Sequence, residues 1–145
     1  MNASTTEKPN EVVQIMYDHF MEQTHSGKKA AAMVNYMGQK VQEPGCKLIH
    51  LGKIVFLITV SGPHMVEMHA MIGKGLSESA KLKELDKQLD PLIAILKNAE
   101  VKVLYTYMPL NKKQVFEKIL REYKFKEQKI KGPDGKPYIS FFIEV

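Results

Sequence analysis

One cysteine, one arginine and no long apolar run set the first limits on this chain. A lone Cys46 cannot build a disulfide framework and, with no second thiol near it, does not suggest zinc, so no metal site is expected and the thiol is read as partly buried and structural. Arg121 is the only arginine, and the other basic residues are lysines. Specific readers of phosphate and of base edges lean on arginine's planar fork, so nucleic acid is not expected as a partner and the formal charge of +5 speaks mainly for solubility. The cluster Lys112, Lys113, Lys118, Lys124, Lys126, Lys129 and Lys131 nevertheless suits an acidic ligand or a phosphate. No segment approaches the roughly 20 apolar residues that cross a bilayer, so no membrane partner is expected. The start MNASTTEKPN has neither a basic nor an apolar signal region, so residues 1–10 are expected to be a flexible tail on a cytoplasmic protein. Repeats and low-complexity tracts are absent as well.

What is present fits one folded domain over residues 11–145, because 44% apolar and 26% charged residues belong to globular chains. Asn10 is an N-cap candidate before Val12, Val13, Met16, Tyr17, Phe20 and Met21, which recur at helical spacing. Ser26 can cap a second helix, with Ala30, Ala31, Val34 and Met37 on its inner face and an end near Gly38. Beyond the Pro44-Gly45 turn, CKLIH and KIVFLITV read as strands joined around Leu51-Gly52, the second apolar on both faces and therefore interior. MVEMHAMI, residues 65–72, is a third strand and completes a meander.

SESAKLKELDKQLDPLIAILKNAE follows as a long helix that Pro91 is expected to kink or divide. VKVLYTYM is a strand with Val101, Val103, Tyr105 and Tyr107 on one face. Asn111 is expected to cap the next helix, which turns Val115, Phe116, Ile119, Leu120 and Tyr123 inward. KEQKIK, GPDGK and PYISFFIEV close the chain as a hairpin. The strand-helix-strand unit in the middle should be parallel.

In MVEMHAMIGKG, alternation puts Met65, Glu67, His69 and Met71 on one face and Val66, Met68 and Ala70 on the other. Two ionisable groups thus stand side by side just before Gly73 and Gly75. Each has a plain reading: a solvated carboxylate with a histidine partner, methionines as packing, glycines that end a strand.

The order α-α-β-β-β-α-β-α-β-β resembles the GNAT superfamily of acetyl-coenzyme A dependent N-acetyltransferases. More narrowly, Glu67-Met68-His69, the long helix, VLYTYMP and NKKQVFEKILREYKFKEQ resemble small GNAT-like proteins of bacteriophages. The likeness runs from about residue 11 to the end and lacks only the usual first strand. It implies an α/β (α+β) fold with a mixed central sheet, an antiparallel meander, flanking helices and a C-terminal hairpin.

It also implies that strands 65–72 and 101–108 diverge to admit the pantetheine arm of acetyl-CoA, with the pyrophosphate on amides at the start of the long helix. Met68, Ala70, Met71, Ile72, Gly73, Gly75 and Asn111 are the implied cofactor contacts. Glu67 matches the family's base, and His69, with an ordinary pKa of about 6.5, can share that role. The family's loop has Gln or Arg three residues before its first glycine, where this chain has Ala70. Its tyrosine acid seven residues after Asn111 is here Lys118, and Lys124 replaces its glycine, which leaves Tyr105, Tyr107 and Tyr123 as substitute acids. The implied activity is an acyltransferase on an amine, either a small molecule or a protein lysine or N-terminus. Its alternative is a degenerate GNAT-like module that binds a virion or host protein, placed in the cytoplasm of an infected host or in the virion.

Overall fold

A computed structural model describes the backbone of residues 3–145 and the side chains from residue 11 onward. Helices α1 (Ala3–Thr24) and α2 (Gly27–Lys40) lead into strands β1 (Cys46–Leu51), β2 (Ile54–Gly62) and β3 (Met65–Ile72). Helix α3 (Glu78–Asn98), strand β4 (Val103–Pro109), a 3-10 turn (Leu110–Lys112), helix α4 (Lys113–Glu122) and strands β5 (Lys126–Lys131) and β6 (Pro137–Glu144) follow. The strands form one sheet in the order β1-β2-β3-β4-β6-β5. The α/β class and the order of elements agree with the expectation from sequence.

Three local expectations are corrected. Helix α1 begins at Ala3, so Asn10 lies inside the helix rather than at its cap. Of the two outcomes expected at Pro91, division does not occur, because α3 runs through it for 21 residues. Leu85, Leu89, Leu92 and Leu96 are all buried along its length, and each such side chain contributes about 1.5–3 kcal/mol, enough together to offset a missing backbone donor. Asn111 does not cap α4, because the chain leaves β4 through the 3-10 turn and puts Lys112 at the N-cap position without a side-chain bond.

The residues group into two compact units, one from α1 to Thr59 with His69–Leu89, the other Val60–Met68 with Asp90–Val145. In the first, Ser26 caps α2 by accepting from the Lys29 N–H, and Met16, Phe20, Ala30, Met37, Val55, Leu57 and Met71 form a core. Strands β1 and β2 pair antiparallel from Cys46↔Thr59 to Leu51↔Ile54. Their turn needs glycine twice over at Gly52, which has φ +57, and where a Cβ would run into Glu84 and Gln88 of α3. Glu84 accepts there from the Lys53 N–H at 2.7 Å and from Gln88 Nε2 at 3.2 Å. Five consecutive buried residues, Ile54–Ile58, make β2 the interior strand its sequence suggests.

In the second unit, β3 and β4 run parallel through Met65↔Val103, Val66↔Leu104 and Glu67↔Tyr105. Strand β4 pairs antiparallel with β6 along its whole length, from Val103↔Glu144 to Pro109↔Tyr138, and β6 pairs with β5. Leu104, Ile139 and Phe141 are fully buried. Every residue of the edge strand β5 is exposed, and its lysines oppose pairing with another chain.

Candidate active site

Strand alternation and register place the chemistry of the second unit. Glu67 and Tyr105 are the last pair of the parallel ladder, so their side chains stand on the same side of the sheet. Tyr105 Oη donates to Glu67 Oε1 at 3.3 Å. That is long for a hydroxyl on a carboxylate, which closes to about 2.5–2.7 Å when strong, so Glu67 keeps acceptor capacity for a further proton donor.

Tyr107 lies two residues along β4 and shares that face. Tyr138 sits opposite Pro109 and therefore diagonal to Tyr107, with ring centroids 6.2 Å apart and planes at 56°. The Tyr107 hydroxyl is held above the usual phenol range, first by the Glu67 charge, then by burial, then by Tyr105 and Tyr138. It stays protonated at neutral pH while the ring is 44% exposed. One carboxylate and three phenols can thus accept one proton and supply another.

The β3–β4 ladder runs through Glu67↔Tyr105. Met68 has no register partner in β4 among the described residues, while β4 continues to Pro109 with partners in β6.

The first unit holds the other ionisable pair. His69 is exposed on β3, and its ring meets His19 of α1 edge-on, with centroids 6.1 Å apart and planes at 83°. His19 Nδ1 accepts from the Ile72 N–H at 3.4 Å, its ring also packs against Phe20, and its enclosed Nε2 has no protein partner. Burial, then the charge of His69, lowers the His19 pKa from 6.5 to about 4. His19 is neutral at pH 7.

The residues named from sequence as cofactor contacts fall into three groups. Met68 and Met71 turn their side chains into buried positions, Met71 into the α1–α2 core, so only their backbone can serve a ligand. Ala70, Ile72 and Gly73 are half-buried, and Gly75 takes φ +84 in the loop before α3. At that helix start, Ser77 Oγ accepts from the Ala80 N–H at 3.1 Å and Glu78 occupies the first turn, so part of the N-terminal anion site is already filled by the chain's own groups. Lys74 pairs with Asp18 at 3.8 Å, and Lys81 pairs with Glu22. Asn111 is exposed in the 3-10 turn. Tyr123 instead donates to Asp90 at 3.0 Å, which ties the end of α4 to α3.

Sequence reasoning missed His19 and Tyr138. His19 hides beside Phe20 in an apolar helical stripe, where a histidine ordinarily reads as surface or packing. Tyr138 alternates with Ile139 like any half-buried strand residue, and only the β4–β6 register brings it to Tyr107. Among the described residues no group of three or more His, Cys, Asp and Glu side chains could hold a metal ion. No helix of these residues is long and apolar enough to cross a membrane.

Comparison with solved structures places the fold in a known architecture. A protein assigned to the GNAT acetyltransferase family from Desulfovibrio desulfuricans is similar at TM-score 0.69 and 7% identity, with 94% of this chain and 93% of that one covered. An aminoglycoside 6'-acetyltransferase of type Ii matches at 0.66 and 11% identity, over 99% of this chain and 94% of that one. A Bacillus subtilis acetyltransferase in complex with CoA matches at 0.51 and 11% identity, over 77% and 83%. No family model and no curated protein matches the sequence. The fold is that of the GNAT acetyltransferases.

Proposed function

We propose that the chain is an N-acetyltransferase that uses acetyl-CoA and transfers the acetyl group to an amine. The observation that carries this reading is Glu67 at the end of the parallel β3–β4 ladder, with a tyrosine hydroxyl on its carboxylate and a second, firmly protonated tyrosine beside it. The fold shared with GNAT acetyltransferases, one of them bound to CoA, supports the choice of acyl donor. Acetyl-CoA supplies the activated thioester carbonyl.

The residues supply the proton chemistry. Glu67 takes the proton that the amine nitrogen loses as it bonds to the carbonyl carbon. Tyr107, or Tyr105 once its bond to Glu67 yields, gives a proton to the sulfur as the carbon–sulfur bond breaks. His69 is a second candidate base on the same strand face. Met68, Ala70, Met71, Ile72, Gly73, Gly75 and Asn111 remain the cofactor contacts that the likeness to the GNAT fold implies.

Thermal melting with and without acetyl-CoA tests the proposal. Ligand at about a hundred times its dissociation constant adds roughly 2.7 kcal/mol to the folded state, a rise of several degrees for a domain of this size. Absence of any shift at millimolar acetyl-CoA overturns the acetyltransferase reading and leaves a binding module with the same fold.

A further inference from the structure

The β5–β6 hairpin is shaped around one ring. A Cβ on Gly132 would overlap Cδ1 and Cε1 of Tyr138, so glycine alone lets the ring lie against the backbone there. The turn is fixed on both sides: the Gly132 N–H donates to Lys136 O at 2.9 Å, the Gly135 N–H to Gly132 O at 3.0 Å, and Gly135 takes φ +78. Tyr138 is thereby held against Tyr107 on the side of the sheet that also carries Glu67 and Tyr105. Register puts Lys126 on this side too, but beyond Phe142 as counted from Tyr105.

Aromatic faces next to a carboxylate attract organic cations, provided the cation comes within about 6 Å of a ring centre. A nitrogen that attacks a thioester must be neutral, so the group drawn to these rings is not the reacting amine. Tyr107 stands two residues beyond Tyr105, about 6.6 Å along the strand, which leaves room for a short alkyl spacer between two nitrogens.

Resting on the acetyltransferase reading, we infer that Tyr107 and Tyr138 form the wall of an acceptor subsite for an alkyl diamine: one nitrogen, neutral, reacts at Glu67 while the second, an ammonium, rests on the two rings. Tyr138 is the specificity-determining residue, and Gly132 positions it.

Diaminobutane and butylamine, alike in reach but different in charge, are the probes. With acetyl-CoA, kcat/KM for diaminobutane is expected to exceed that for butylamine by at least about tenfold. Tyr138→Leu and Gly132→Ala should each erase most of that preference through the KM of the diamine, with the KM of acetyl-CoA unmoved, whereas Tyr138→Phe, which keeps the ring, should retain it. Titration calorimetry with diaminobutane alone supplies a reading that does not depend on turnover, and Tyr138→Leu should weaken this binding about tenfold. Equal kcat/KM for the two amines, or diamine binding indifferent to Tyr138→Leu, overturns the subsite. A normal melting shift with acetyl-CoA in that case keeps the acetyltransferase reading, whereas absence of that shift removes the reading and the acceptor subsite with it, and any diamine binding that then depends on Tyr138 marks a binding face without acetyl transfer.

Discussion

Glu67 and His69 stand two residues apart on one face of β3, yet folding gives them company of different kinds. Glu67 meets a phenol that donates a long, weak hydrogen bond and a second phenol whose proton it helps retain. His69 meets the edge of His19, an imidazole that burial keeps neutral and whose inner nitrogen is walled in. Proton transfer needs a charged acceptor with spare lone pairs and a nearby donor, and the first pair has both. Adjacency along a strand therefore says little about shared chemistry. What decides is the element that closes over each residue, β4 for Glu67 and α1 for His69.

The contrast can be broken most sharply at Glu67. Glu67→Gln keeps the shape and removes the acceptor, and steady-state assays should show turnover reduced at least about 100-fold with the acetyl-CoA melting shift retained. A loss smaller than about threefold would move the base elsewhere and return His69 to the role.

Second in size is an acid-side loss of stability carried by His19. The unfolded chain takes up a proton there near pH 6.5, the folded chain only near about 4. Between those values the unfolded state binds more protons, so the contribution of neutral His19 is complete above about pH 6.5 and is lost as pH falls toward 4. At about 1.4 kcal/mol for each pH unit crossed, the whole loss is about 3 kcal/mol. Urea melts across this range should show that slope, and His19→Gln, which keeps an acceptor for the Ile72 N–H, should flatten it. An unchanged slope in the variant would assign the acid limb to other groups.

The smallest effect sharpens the second pair alone. His69→Phe keeps a ring against His19 but removes its charge. Proton NMR should then find His19 titrating above about 4 yet well below 6.5, because burial is the larger of the two causes. A return to 6.5 would make the charge of His69 the dominant influence.

Much of this architecture was legible in advance because it rests on local pattern. Strand β3 has the span Met65–Ile72 that alternation marks out, β2 is buried on both faces as its unbroken apolar run requires, and the strand-helix-strand unit is parallel. The failures came where a distant packing surface outweighed a local signal. Leucines are buried on both sides of Pro91 in a helix that continues through it, and the corner after Pro109 takes up Asn111 before α4 starts. At the site, Glu67, Tyr105 and Tyr107 could be named from their positions on strands. Tyr138 and His19 could not, since their neighbours are set by an antiparallel register and by a helix lying on a strand, neither of which a single sequence encodes locally.

Gly52 is exposed and takes part in no proposed step. Its left-handed backbone and the carboxylate and amide of α3 pressed against it leave no alternative residue that fits without displacement. Selection for folding alone would hold this exposed position at glycine, and selection for chemistry would act instead on Glu67. A variant library sorted once for soluble yield and once for acetyl transfer would separate the two pressures, with position 52 depleted in both sorts and position 67 in the second only.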